Sequence, residues 1–148
     1  MTVLGGVTLV VGCAAVAEDL ARRRISNWTS ATALVSGFVL HIAQQGWRGA
    51  LAASLGALVG FAVFLIFYLL NGMGGGDVKL MAGFGSLLGP GAIVWAAWFA
   101  AVAGGLMAGG YAVALALRAR RRTAPGGQAI PYAPAIVAGV WLAEFALV

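Results

Sequence analysis

The run Gly74-Gly75-Gly76-Asp77-Val78-Lys79-Leu80 puts a carboxylate at the start of an apolar stretch, directly behind three glycines. An acid at the edge of a membrane-embedded segment is costly and is kept where it has a use. The chain has four acids: Glu18, Asp19, Asp77 and Glu144. If Asp19 and Asp77 meet, they form a pair that cannot easily carry two charges and so shares a proton. The ionised member can take a proton from water while the protonated one donates to a peptide carbonyl. That is the chemistry of aspartic proteolysis, which calls for no metal, cofactor or covalent intermediate.

The glycines have a physical job beside such a pair. Lacking Cβ, Gly74, Gly75 and Gly76 are free to take positive φ and to let a substrate backbone come near. Their N–H groups also fall at a helix N-terminus, where negative charge is favoured. Simpler roles stay open for both acids: Asp77 as a helix N-cap, and Asp19 as a counter-ion to Arg22 or Arg23.

Composition says what must position these residues. The chain is 148 residues long, 62% hydrophobic and 9% charged, with a mean hydropathy of +0.99. Soluble domains carry roughly 25% charged residues, so the expectation is one integral-membrane domain over residues 1–148. The net charge of +5 comes from Arg22-Arg23-Arg24 and from the arginines between 118 and 122. In a membrane protein these are topology signals, not a nucleic-acid footprint. Cys13 is the single cysteine, which excludes an intrachain disulfide and a multi-cysteine zinc site. No basic residue precedes the first apolar stretch and three arginines follow it, the pattern of a retained span with its N-terminus outside, not of a cleaved signal.

Apolar stretches at 2–17, 28–42, 50–70, 77–88, 92–117 and 130–148 predict an all-α polytopic bundle of about six transmembrane helices. With the N-terminus outside, Asp19, the glycine loop at 71–76 and both arginine clusters fall on the cytoplasmic side, as the positive-inside rule asks. The fourth segment is short: 74–88 reaches roughly 22 Å at 1.5 Å per residue, against a hydrocarbon core of ~30 Å. Either the bilayer thins there or the glycine loop begins below the membrane surface; a re-entrant segment is the rival, and it would put the second arginine cluster outside. Gly89-Pro90-Gly91 breaks the chain between the fourth and fifth segments. Ala52, Gly56 and Gly60, and Ala101, Gly105 and Gly109, recur every four residues and predict close helix packing within the chain.

The motif around Asp77 resembles the signature of the type IV prepilin peptidases, the Gly-x-Gly-Asp membrane aspartic proteases. That family's first motif is an aspartate just after a span, then a basic stretch, then Ile-Pro-Asn. Here it is matched by Asp19-Leu20-Ala21-Arg22-Arg23-Arg24-Ile25-Ser26-Asn27, with Ser26 in place of proline, so that the loop entering the second span is expected to be less rigid. Ile130-Pro131-Tyr132-Ala133-Pro134-Ala135 is similar to the family's Pro-Tyr-x-Pro-Ala segment. The resemblance implies Asp19 and Asp77 as catalytic pair at the cytoplasmic face of a bacterial inner membrane. It implies a pilin-like precursor as substrate, cut after a glycine or small residue to remove a short basic leader ahead of a hydrophobic helix. Larger members also methylate the new N-terminus and carry a loop with paired cysteines; this chain has no such cysteines, so peptidase activity alone is expected, as in small Flp/Tad-type members. Presenilin-like proteases need a Tyr-Asp pair that is missing here. A proton-coupled carrier using the two acids as a relay, or a non-catalytic scaffold, are the readings from other classes.

The remaining polar residues receive positional readings. Lys79 lies about 200° round a helix from Asp77, so it points away from that acid, either towards Asp19 or a substrate carboxylate, or simply snorkelling. Asn27 is expected to cap the second helix. Pro131 and Pro134, with Tyr132 between them, are expected to shape the start of the last helix beside the active site. Glu18 adjoins Asp19, but the family spacing to Ile25 and Asn27 selects Asp19. His41 and Glu144 are read as interface residues near the outer face.

Overall fold

The computed structural model describes residues 3–70, 73–119 and 132–147. Their regular structure is entirely helical: α1 Val3–Arg22, α2 Asn27–Gln45, α3 Trp47–Leu69, α4 Gly75–Ala119 and α5 Ala133–Leu147. Three helices, α1, α3 and Gly75–Ala114 within α4, are long and apolar enough to cross a membrane. Ala133–Ala146 is a shorter apolar stretch. Helix α2 falls outside that set because Thr29, Ser30, Thr32, Ser36, His41, Gln44 and Gln45 dilute its apolar content.

Helix α4 is two helices. Gly89 has φ 76° and ψ 175°, which interrupts the helical path just before Pro90. A residue with that φ is nearly always glycine, and Pro90 cannot supply the next amide donor. The two arms, 75–88 and 90–119, run in opposite directions. Gly56 of α3 faces Gly85, and Gly60 faces both Met81 and Ile93, so Ile93 lies back beside the first arm. Further along the second arm, Ala96 and Ala100 lie against Gly139, and Gly104 against Tyr132. The break expected at 89–91 is therefore a reversal.

Packing follows membrane logic. The buried face of α3 is Gly49, Ala53, Gly56, Gly60 and Phe64, while Leu51, Leu55, Leu58 and Ile66 point outward. Without water to expel between helices, small residues inside bring backbones together and large ones meet the lipid. A Cβ on Gly85 would overlap the backbone of Gly56, and one on Gly37 would overlap Ser86. The first arm of α4 is thus enclosed by α2 and α3, with Leu80, Met81 and Phe84 fully buried.

Several local expectations change. Gly56 and Gly60 make the close contacts, but their partner in the stripe is Ala53, fully buried, not Ala52. Gly105 and Gly109 face open space; Gly104, one position earlier, is the contact glycine. The loop between the second and third segments shrinks to Gly46, whose φ of 58° ends α2 and whose N–H donates to Ile42 O. His41 is buried rather than interfacial, and its Nε2 lies 3.0 Å from Leu87 O. That carbonyl lies two residues before the Gly89 break, where a helix runs short of internal donors, and the imidazole gives it a partner.

The candidate active site

Both acids sit in helical turns, not in loops. The polar stretch after the first apolar segment continues α1, which ends only at Arg22. There Arg23 takes φ 51° and donates its N–H to Asp19 O at 2.8 Å. Asp19 therefore occupies the last turn of α1, and it is buried. Its Oδ2 accepts the N–H of Ala133 at 3.0 Å. Ala133 opens α5, and the first amides of a helix have no internal acceptor, so α5 directs a free donor and its positive dipole end at Asp19.

Asp77 is the third helical residue of α4, not its N-cap. Its N–H donates to Gly74 O at 3.1 Å, and its Oδ2 accepts the N–H of Gly74 at 3.1 Å. The side chain thus reaches back over the first turn in the manner of a capping box. Local capping and a charged role coexist here, because the bond engages Oδ2. The glycines work differently from expectation. Among the described glycines, positive φ occurs at Gly46 and Gly89 but not at Gly74, Gly75 or Gly76. What they supply is room: Gly76 lies against Ile25, where a Cβ would come within 3.4 Å, and Gly75 lies beside Tyr68. The missing side chain lets the α1–α2 connection approach the start of α4.

That approach brings the acids together. Asp19 and Asp77 lie within Coulombic reach of one another at one end of the bundle. The α2 N-terminus closes the same end. Its cap is Ser26, not Asn27: Ser26 Oγ accepts the N–H of Trp28 at 3.2 Å. A serine side chain accepts at this position more readily than the residue after it, which has already entered the helix. Asn27 instead accepts from Lys79 Nζ at 3.0 Å, which gives Lys79 a partner on α2.

Of the expected last-helix residues, Pro131 lies outside the described residues. Tyr132 precedes α5, and its carbonyl accepts the N–H groups of Ala135 and Ile136; Pro134 is half-buried in the first turn, where proline is tolerated. Tyr132 also lines a cavity of about 190 Å³ with Phe64, Met73, Ala100, Gly104 and Ile136. Two contributors escaped the sequence reading. The Ala133 amide carries no side-chain signature at all. Glu18, set aside in favour of Asp19, accepts the Ser26 N–H on Oε2 and the Thr29 hydroxyl on Oε1, both at 2.8 Å; the pairing of an acid with a Ser-x-x-Thr helix start was the available signal.

Two buried acids from separate helices, each held by a backbone amide and one preceded by glycines, agree with a match of residues 6–109 to the model of the type IV leader peptidase family. The chain belongs to that family. The matched range contains Asp19 and Asp77, whereas Tyr132 and Ala133 lie beyond it. No curated protein and no solved structure matches the chain. Leader-peptidase membership makes this a peptidase of aspartic type, and its apolar helices fit a membrane protein.

Proposed function

We propose that this leader peptidase is a membrane aspartic endopeptidase in which Asp19 and Asp77 are the catalytic pair. It removes a short basic leader from pilin-like precursors at the cytoplasmic face of a bacterial inner membrane. The observation that carries the reading is the contact of Gly76, beside Asp77, with Ile25 in the turn that follows Asp19, which sets two acids distant in sequence at one end of the bundle. Each has one oxygen on a backbone amide.

In the proposed reaction a water lies between the carboxylates. The ionised one takes a proton from it as the oxygen attacks the scissile carbonyl. The protonated one donates to the carbonyl oxygen, and the tetrahedral intermediate collapses with transfer of a proton to the leaving amine. Helix N-termini at both acids favour the negative charge the pair must carry. Methylation of the new N-terminus is not part of this activity.

In this reading the chain is one integral-membrane domain over residues 1–148 with six crossings and an outside N-terminus. The reversal at Gly89 turns one long apolar element into two. The first arm, at 1.5 Å per residue, is roughly 20 Å long, short of a ~30 Å hydrocarbon core, which fits acids set inside the inner leaflet edge. Their place at helix ends, beside the arginine-rich turn after α1, favours hydrolysis of an entering peptide over a mid-membrane proton relay.

The test is co-expression with a pilin-like precursor, following the shortened product. Wild type should yield it, and Asp19→Asn and Asp77→Asn should each abolish it. Processing that survives either substitution would remove the assignment.

A further inference from the structure

Glu18 is adjacent to Asp19, yet its carboxylate serves a different part of the chain. One oxygen takes the backbone N–H of Ser26 and the other the hydroxyl of Thr29. Both donors belong to the start of α2. Neither bond is needed to build the helix cap, which Ser26 Oγ supplies. The turn that Glu18 spans holds Ile25, and Ile25 lies against Gly76, the residue before Asp77. A second link leads the same way: Asn27, next to Ser26, accepts from Lys79 on the first turns of α4.

We propose that Glu18 is a positioning residue that sets the gap between Asp19 and Asp77. The inference rests on the reading of those two as the catalytic pair. From Glu18 the path runs through Ser26 and Thr29 to the α2 N-terminus, and from there through Ile25 and Asn27 to α4. One end of the path adjoins Asp19 and the other adjoins Asp77. With one oxygen on a backbone amide and the other on a hydroxyl, this side chain holds two groups of the turn at once. The turn it braces also includes Arg23, held at a φ of 51°, which needs surrounding contacts to persist. Releasing the brace lets the turn relax and moves Ile25 off Gly76. A displacement near 1 Å at a catalytic group is enough to cost about tenfold or more in rate.

The experiment compares full-length wild type, Glu18→Ala, Glu18→Gln and Thr29→Val in detergent. A pilin-like precursor is the substrate, Asp19→Asn and Asp77→Asn are references, and thermal unfolding is followed in parallel. Expected for Glu18→Ala is a kcat lower by about tenfold with KM nearly unchanged, measured on the folded fraction. Glu18→Gln should recover most of the rate, because its amide oxygen can accept from Ser26 while its NH2 donates to the Thr29 hydroxyl. Thr29→Val should fall between.

A Glu18→Ala enzyme with wild-type kcat overturns the inference, as does a loss confined to KM or to the amount of folded protein. Glu18→Gln as impaired as Glu18→Ala also overturns it, since the carboxyl would then act through its charge. Should Glu18→Ala not fold, Thr29→Val decides: unchanged kcat rejects the brace and a lowered kcat supports it. An active Asp19→Asn enzyme removes the pair and this inference together. A normal Glu18→Ala beside a dead Asp19→Asn removes this inference alone.

Discussion

The amide of Ala133 donates to Asp19 Oδ2 at 3.0 Å, joining the first turn of α5 to the last turn of α1. The last helix is therefore part of the site, although it contributes no acid there. Proline at 133 tests this directly. It suits the opening of a helix but has no N–H, and its Cδ would stand where the amide proton met the carboxylate. Ala133→Pro is expected to lower leader removal by about tenfold or more, through displacement of Asp19. Precursor cleavage, read against thermal unfolding in detergent, checks it; wild-type turnover would detach α5 from the site.

The backbone contact between α3 and the first arm of α4 should tolerate no added side chain. A Cβ at Gly85 overlaps the Gly56 backbone, which no rotamer change can relieve. Gly85→Val is expected to destabilise by about 3 kcal/mol or more, at the upper end of overpacking costs. Gly109→Ala, which meets nothing within 4 Å, should not lower the melting temperature and should raise it slightly through the better helix propensity of alanine.

His41 guards the other end. Its imidazole partners the Leu87 carbonyl beside the reversal. Removing one partner of a buried hydrogen bond costs about 1–3 kcal/mol, so His41→Ala should lower stability by that amount. The protein that remains folded should cleave at the normal rate, because this end is remote from Asp19 and Asp77. A selective loss of kcat would show that the reversal communicates with the acids.

Arg23 holds a left-handed conformation, φ 51°. For a residue with a Cβ this costs roughly 1–2 kcal/mol, and glycine avoids it. Arg23→Gly is expected to raise the unfolding temperature, with up to about 1 kcal/mol gained once the freer unfolded chain is counted. Calorimetry or a detergent unfolding curve would reveal the sign; a lowered midpoint would mean that the arginine side chain contributes more than its backbone costs.

What could be read from the sequence was whatever rests on composition and on motif. Asp77 announced itself through its glycines, and Asp19 through its arginines and Asn27. The break at Gly89-Pro90 was visible because proline and glycine act locally. Long-range partners were not visible. Whether Ala52 or Ala53 faces inward depends on helix rotation, which α3, apolar on every side, does not record. Ser26 and Asn27 are both competent caps, and only the placement of α2 chooses between them. The amides of Gly74 and Ala133 belong to the backbone and are silent in any sequence. The family spacing that selects Asp19 gives Glu18 no role, and its donors become apparent only when the turn closes.

The Ser26 amide has one more implication, for how this turn can vary. Its nitrogen gives its proton to Glu18, something an imino acid cannot do. Reinstalling proline there would strand one oxygen of that carboxylate, and a neutral residue at 18 would leave the serine nitrogen unanswered. The two sites are thus yoked: chains with proline at the later one are free to lose the acid at the earlier one, while chains with serine are expected to keep it.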